Sequence, residues 1–318
     1  MHYEPPKLYF NAHIETIFPA IFRKVDEISY SRERINTHDG DFLDLDWLKS
    51  GSKNLVIISH GLEGDSQRPY IKGMAKAFYS SQYDVLAWNY RGCSGEMNRK
   101  LRFYHSGETE DLQEVISHAL TFGYENIFLI GFSLGGNITL KYLGEKKHTK
   151  DARLKGAVTF SVPLHLHNSC VTISKPSNFI YAQRFLTNLK EKVRSKAKVM
   201  PDKLNIEGLS KIKTLKDFDD RYTAPIHGFN DAIEYYSKCS SIHFLEEITT
   251  PTLIVNALND PFLSDDCYPT SELEGHSFIT FETPLKGGHV GFTSFKLNNL
   301  YWSELRALDF INSLKNLQ

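Results

Sequence analysis

The first residue in this 318-residue chain with an evident chemical use is a serine set in Gly131-Phe132-Ser133-Leu134-Gly135. The pentapeptide follows an apolar run over 127–131 and opens a helical pattern, so it reads as a strand-turn-helix corner that raises the serine hydroxyl clear of the backbone. Glycines at the flanking positions let strand and helix approach where any Cβ would crowd them. A serine hydroxyl is a poor nucleophile near neutral pH and needs a base within hydrogen-bond reach, itself oriented by a carboxylate. Among 13 histidines, His289 is the candidate base, because Gly287-Gly288-His289-Val290-Gly291 follows the last predicted strand and a flexible loop there can carry an imidazole over the sheet edge. Asp260, in Asn259-Asp260-Pro261 at the end of a strand predicted over 252–258, is the candidate orienting acid, with Asp265 and Asp266 as rivals. The chemistry expected of such a set is acyl transfer through a serine ester.

Negative charge developing on an attacked carbonyl needs two fixed N–H donors. Leu134, at the start of the helix behind the serine, offers one from its backbone; Leu62, in His60-Gly61-Leu62-Glu63-Gly64 after a strand predicted over 55–59, offers the second. His60 itself reads as a brace for that loop. His60, Glu63, Asp65 and His105 could converge on a metal, but they lack a ligand spacing such as H-E-x-x-H, so neither metal nor cofactor is expected. Cys93, Cys170, Cys239 and Cys267 lie far apart without a C-x-x-C pair, which argues for idle or buried thiols in a reducing compartment. No histidine stands beside Cys93 in the sequence to make it a nucleophile.

These residues need a scaffold that brings distant loops together. Apolar residues at every second position over 27–35 and again over 42–48, with Asp39-Gly40 between, predict a β-hairpin. Short apolar runs at 55–59, 85–88, 127–131, 157–160, 252–258 and 278–281 predict six strands buried on both faces. Helical spacing separates them: Ile71, Met74, Ala75 and Phe78; Leu112, Val115, Ile116 and Ala119; 138–143; and near the end Trp302, Leu305, Leu308 and Ile311. Strand and helix in alternation give an α/β fold, a mostly parallel central sheet with an N-terminal hairpin and helices on both faces. The rhythm breaks over 163–245, which predicts a helical cap inserted into a core formed by 1–162 and 246–318. Phe179, Ile180, Phe185, Leu186, Leu189 and Val193 fall at helical spacing there and could dock a helix or line an acyl pocket.

With 41% hydrophobic and 24% charged residues the chain can bury a large core, and 37 basic against 38 acidic residues remove the electrostatic footprint that nucleic-acid binding needs. Residues 175–216 hold eleven Lys or Arg against Glu191, Asp202 and Glu207. A solvated helix face balanced by acids elsewhere is the reading, with peripheral contact to anionic lipid or an acidic partner as the alternative. No signal peptide or membrane span is legible, so a cytoplasmic protein is expected.

The residues taken together resemble those of α/β-hydrolases, specifically the YheT-like branch that includes eukaryotic abhydrolase-domain lipases and yeast medium-chain ester synthases. The likeness runs through Asn11-Ala12-His13 with Thr16, His60 to Gly64, Trp88 to Glu96 with Asn98-Arg99, Tyr104 to Thr109, Gly131 to Asn137, Asp260-Pro261-Phe262 and Gly288 to Phe292; it is thinnest from about 165 to 225. In this branch the first segment usually resembles Asn-Pro-His-Leu-Gln-Thr, whereas here Ala12 and Glu15 occupy two of those positions. The chain order Ser133, Asp260, His289 is the one such hydrolases use. The apolar residues of the cap predict small-molecule esters of short to medium acyl length, while the resemblance itself implies a serine carboxylesterase with Ser133, Asp260 and His289 as its triad and does not identify the substrate. It leaves open an acyltransferase using an alcohol acceptor on the same residues, or a binding protein that keeps the fold without catalysis. The polar stretch from Arg91 to Thr109 is expected to hydrogen-bond within itself beneath the site loops.

Overall fold

The computed structural model describes residues 1–147, 151–294 and 300–315. After helix α1 (Ala12–Phe22), strands β1 (Ser31–Asn36) and β2 (Phe42–Leu48) form the hairpin. Then come β3 (Asn54–Ser59), α2 (Pro69–Ser80), β4 (Asp84–Asn89), α3 (Thr109–Leu120), β5 (Asn126–Phe132), α4 (Leu134–Gly144) and β6 (Leu154–Phe160). Five helices follow: α5 (Leu166–Ile173), α6 (Phe179–Val199), α7 (Leu215–Phe218), α8 (Ala224–Ile226) and α9 (Ala232–Cys239). Strands β7 (Thr252–Val255) and β8 (Ile279–Glu282) and helix α10 (Trp302–Lys315) complete the order. The eight strands form one sheet in the order β1-β2-β4-β3-β5-β6-β7-β8. β2 runs antiparallel to β1 and β4, and every other neighbouring pair is parallel.

The period-2 geometry of a strand sends alternate side chains to opposite faces, and β3 shows the result. Leu55 and Ile57 join an apolar cluster with Leu112, Val115 and Ile116 of α3 and Ile138 of α4. Val56 and Ile58 join another with Ile71, Met74 and Phe78 of α2 and Ile311 of α10. The sheet is thus covered on both faces, as the uninterrupted apolar runs of its central strands require. The helices between β6 and β7 share a third cluster, which includes Leu186, Val193, Phe218 and Tyr236 and also takes in Phe103.

Four features differ from the sequence reading. The first hairpin strand begins at Ser31, and the strand expected over 252–258 ends at Val255. There the Asn256 side chain replaces ladder bonds: its Oδ1 accepts from the Val162 N–H at 2.7 Å, and its Nδ2 donates to the carbonyls of Val162 and Cys267 at 3.0 Å each. The basic face of 175–216 is not wholly solvated. Lys196, on α6, is buried and donates to the Asn98 carbonyl at 2.8 Å and the Asn98 Oδ1 at 2.6 Å; burial holds its ammonium down to about 8. Lys192, one turn earlier, pairs with Glu63 at 2.7 Å, because a buried ammonium must find fixed acceptors. Finally, α1 is not announced by apolar periodicity, since its buried residues are Glu15, Thr16 and Pro19 while Phe18, Ile21 and Phe22 face outward.

The polar stretch after β4, expected to hydrogen-bond within itself, does so in part, through Asn98 Nδ2 to the Arg102 carbonyl at 2.7 Å, and otherwise bonds to the hairpin turn and α3. The buried Arg91 guanidinium forms a two-pronged pair with Asp111 at 2.8 and 2.7 Å and reaches Asp39 at 2.8 Å and Asp41 at 3.0 Å. Asp41 also accepts from Asn98 Nδ2 at 2.6 Å and from the Arg99 N–H at 2.7 Å. Burial pushes Asp111 up to about 6, with Arg91 opposing it. Removing the cation would strand three carboxylates, so Arg91→Met is expected to lower stability by about 3–5 kcal/mol. A shift in the urea midpoint at unchanged slope would measure it; a loss below about 1 kcal/mol, the level of an exposed pair, would show that the network is dispensable.

Candidate active site

The corner between β5 and α4 is strained in the way the glycine spacing implies. Ser133 has φ +53° and ψ −121°, outside the regions that residues with a side chain ordinarily occupy. Its N–H donates to the Phe160 carbonyl at 2.9 Å, and its carbonyl accepts the Asn137 N–H at 3.1 Å, so β6 and α4 hold it from both sides. A Cβ on Gly131 would lie 2.5 Å from the Gly135 carbonyl oxygen, and one on Gly135 would lie 2.4 Å from that of Ser59. Either methyl group would push the helix off the sheet.

His289 Nε2 lies 2.9 Å from Ser133 Oγ, and His289 Nδ1 lies 2.9 Å from Asp260 Oδ2 and 3.1 Å from Oδ1. With the Nδ1 proton donated to the buried Asp260, Nε2 is left as acceptor for the serine hydroxyl. Asp260 Oδ1 also accepts from the Phe262 N–H at 2.9 Å, which fixes the carboxylate plane. The rivals lie elsewhere: Asp265 and Asp266 are exposed in a turn, and Asp266 accepts from Asn168 Nδ2 at 2.7 Å.

Helix α1 supplies residues that the sequence did not mark as part of the site. Glu15 Oε2 accepts from the Gly287 N–H at 2.6 Å and from Asn259 Nδ2 at 3.0 Å, so it joins the loops that carry His289 and Asp260. Thr16 Oγ1 accepts from the His289 N–H at 2.9 Å and donates to the Ala12 carbonyl at 2.7 Å. Asn259 Oδ1 accepts from the Gly288 N–H at 3.0 Å, and Ser161 Oγ accepts from the Val290 N–H at 2.9 Å. His13 contacts the Tyr181 hydroxyl of α6 at 3.1 Å. The only sequence signal for this clamp was the motif-like run ending at Thr16, whose partners lie more than 240 residues away.

The loop after β3 is held rigid by aromatic hydroxyls. Gly61 N–H donates to Tyr70 OH at 3.0 Å, Glu63 N–H donates to Tyr104 OH at 2.8 Å, and Tyr90 OH donates to the His60 carbonyl at 2.6 Å. The His60 ring faces the Gly61 carbonyl through Nδ1 at 2.8 Å and the Tyr90 N–H through Nε2 at 3.3 Å, which assigns the proton to Nδ1. Burial holds this imidazole down to about 3, so it is a neutral brace. The N–H groups of Leu62 and Leu134 have no protein acceptor among the described residues, and both residues border the space above Ser133. The four residues weighed as a metal set do not converge, and among the described residues no three His, Cys, Asp or Glu are grouped to hold a metal ion. Burial pushes the Cys93 thiol up to about 11, and its neighbour is Lys192 at 3.0 Å.

Two cavities meet at Ser133. The larger, about 180 Å³, lies on the histidine side between α1 and α6 and is bordered by Ile17, Arg68, Arg184, His289 and Val290. The smaller, about 120 Å³, lies over Leu134 and is walled by Leu166, Ile173, Phe185, Leu189 and Asp219.

This architecture has known counterparts. The chain belongs to the α/β-hydrolase fold family, whose model matches residues 54–292. It is 33% identical over 317 residues to an Escherichia coli (strain K12) protein named "Putative esterase YheT", covering 97% of this chain and 92% of that one. It is 27% identical over 301 residues to human "Phospholipase ABHD3", covering 91% of this chain and 73% of the relative. Similarity extends to yeast "Medium-chain fatty acid ethyl ester synthase/esterase 2", 27% identical over 299 residues and covering 86% and 65%. Among solved structures, the Pyrococcus furiosus esterase Pf2001 matches with a TM-score of 0.60 at 17% identity over 92% of this chain and 96% of that one, a likeness of fold. Among the described residues no helix is long and apolar enough to cross a membrane.

Thr16 borders the larger cavity as well as holding the His289 N–H, and the clamp from α1 predicts an effect carried chiefly by turnover. Thr16→Val removes the acceptor of the His289 N–H and is expected to lower kcat about 10- to 100-fold with little change in KM, since misplacement near 1 Å carries that penalty. Thr16→Ser should recover most of the rate. Steady-state hydrolysis of 4-nitrophenyl acetate measures both, and an unchanged kcat in Thr16→Val would remove α1 from the account.

Proposed function

We propose that this protein is a carboxylesterase that cleaves short- to medium-chain esters through an acyl-enzyme on Ser133, with His289 as base and then acid and Asp260 as its orienting carboxylate. The carrying observation is the unbroken series of hydrogen bonds, 2.9 Å from serine to imidazole and 2.9 Å from imidazole to carboxylate. His289 Nε2 takes the hydroxyl proton as Ser133 Oγ bonds to the ester carbonyl carbon, and Asp260 stabilises the imidazolium. The oxyanion is received by the N–H groups of Leu62 and Leu134. His289 then gives its proton to the departing alkoxide, and water activated by the same nitrogen later releases the acid.

The direction of proton transfer assigns the two cavities. The alcohol must leave beside the nitrogen that protonates it, and only the larger of the two is bordered by His289. The acyl group therefore occupies the smaller one, beneath 163–245, which we take as a cap over a core of 1–162 and 246–318. An apolar cavity near 150 Å³ holds a benzene-sized group, so 120 Å³ suits an alkyl chain of about five carbons beyond the carbonyl. Relatives named as esterases and as a medium-chain ester synthase/esterase support the substrate class. The free thiols of Cys93, Cys170, Cys239 and Cys267 fit a cytoplasmic setting.

A series of 4-nitrophenyl esters tests this reading. The value of kcat/KM is expected to peak at acyl lengths of about four to eight carbons, and Ser133→Ala should lose about 10⁶ in kcat. A maximum at long-chain esters, or a Ser133→Ala variant as active as wild type, would refute it.

A further inference from the structure

We propose that the smaller cavity selects acyl groups carrying a hydrogen-bond donor at their far end, a hydroxyl or an amine, and that Asp219 makes the selection. The inference rests on the assignment of that cavity to the acyl group. Its walls from α5 and α6 are mostly apolar, yet Asp219, Thr223 and Tyr236 face it on one side, with His105, Ser106 and Ser169 elsewhere on its lining. Asp219 and Thr223 bound a π-helical turn, Asp219–Thr223, between α7 and α8, and the Ala224 N–H closes it on the Asp219 carbonyl. Such turns insert one extra residue into a helix and re-aim the side chains beside it, and they recur at functional sites.

The carboxylate is half-satisfied. Oδ1 accepts from Thr223 Oγ1 at 2.5 Å and Oδ2 from Tyr236 OH at 2.6 Å, which leaves further acceptor capacity on both oxygens. No cation pairs with Asp219 among the described residues; the nearby Lys216 is bound to Asp220 at 2.6 Å. Burial pushes Asp219 up to about 6, the hydrogen bonds from Thr223 and Tyr236 opposing the rise. A methyl-ended chain filling the cavity would strip the carboxylate of water and return nothing, whereas a terminal hydroxyl or ammonium would supply the missing donor. Discrimination that leaves a buried polar group unpaired with the wrong ligand is strong, because the unpaired group bears the full cost of desolvation.

Competition between methyl esters of ω-hydroxy acids and of the unsubstituted acids, at six, seven and eight carbons, tests the proposal with the full-length protein. Wild type is expected to favour the ω-hydroxy ester at least about 10-fold in kcat/KM at one or more of these lengths. Asp219→Leu should reverse the preference. Asp219→Asn keeps the shape and an acceptor oxygen, so it should lower the ratio without reversing it, and it carries the test if the leucine variant does not fold. A wild-type preference for the plain ester at all three lengths, or a ratio unchanged in Asp219→Asn, overturns the role of Asp219. If instead Ser133→Ala hydrolyses methyl hexanoate as fast as wild type, the acyl-enzyme reading itself has failed, so the two failures are distinguishable.

Discussion

The left-handed backbone at Ser133 is the constraint on which the rest of the site depends. A non-glycine residue held there stores about 1–3 kcal/mol, and the conformation persists because β5 lies between β3 and β6 in the sheet while α4 is pressed against all three. The absence of side chains at Gly131 and Gly135 lets the helix come that close. Parallel pairing from β4 to β8 then brings the loop after β3, the serine corner after β5, the aspartate loop after β7 and the histidine loop after β8 to one edge of the sheet. The Ser133 and His289 side chains, 156 residues apart, are in hydrogen-bond contact because the strands that deliver them run the same way.

Around this corner, polar groups serve as fasteners where the apolar core cannot reach. Glu15 and Thr16 place oxygen acceptors under a loop whose backbone N–H groups would otherwise be buried unpaired. Glu63, in the loop that carries the Leu62 N–H, joins Tyr104 of the core to Lys192 of α6 through one carboxylate oxygen, so the helix over the site is tied to that loop. Lys196, one turn on, repeats the tie at Asn98, whose amide in turn donates to Asp41 beside Arg91. Buried charges of this kind contribute little net stability compared with apolar packing, but they tolerate few alternative arrangements. That suits a site where atoms must be held within tenths of an ångström.

Much of this was legible in the sequence. Uninterrupted apolar runs marked the central strands because those strands are buried on both faces, and the glycine spacing marked the corner because a Cβ is sterically impossible there. His289 and Asp260 could be chosen because loops after the last strands of a parallel sheet converge. What could not be read were contacts whose partners have no local signature. Helix α1 packs its polar side inward, against backbone N–H groups of a loop more than 270 residues away, so apolar periodicity gave no sign of it. Lys192 and Lys196 carry the same residue type as the exposed lysines beside them, and only the fold decides which ones turn inward. The end of β7 carries no signal in the sequence, because the Asn256 and Leu258 N–H groups still donate to carbonyls at the end of β8 and just beyond it while the Asn256 side chain takes over the bonds on the β6 side.

The most direct measurement is peptide mapping of the protein after brief exposure to a fluorophosphonate, which captures an activated serine as a stable phosphonyl ester. The account predicts one adduct, on the peptide carrying Ser133, with capture slowed at least about 10³-fold in His289→Ala, as expected when an activated serine loses its base. An adduct on a different residue, or equal capture rates in the two proteins, would contradict it.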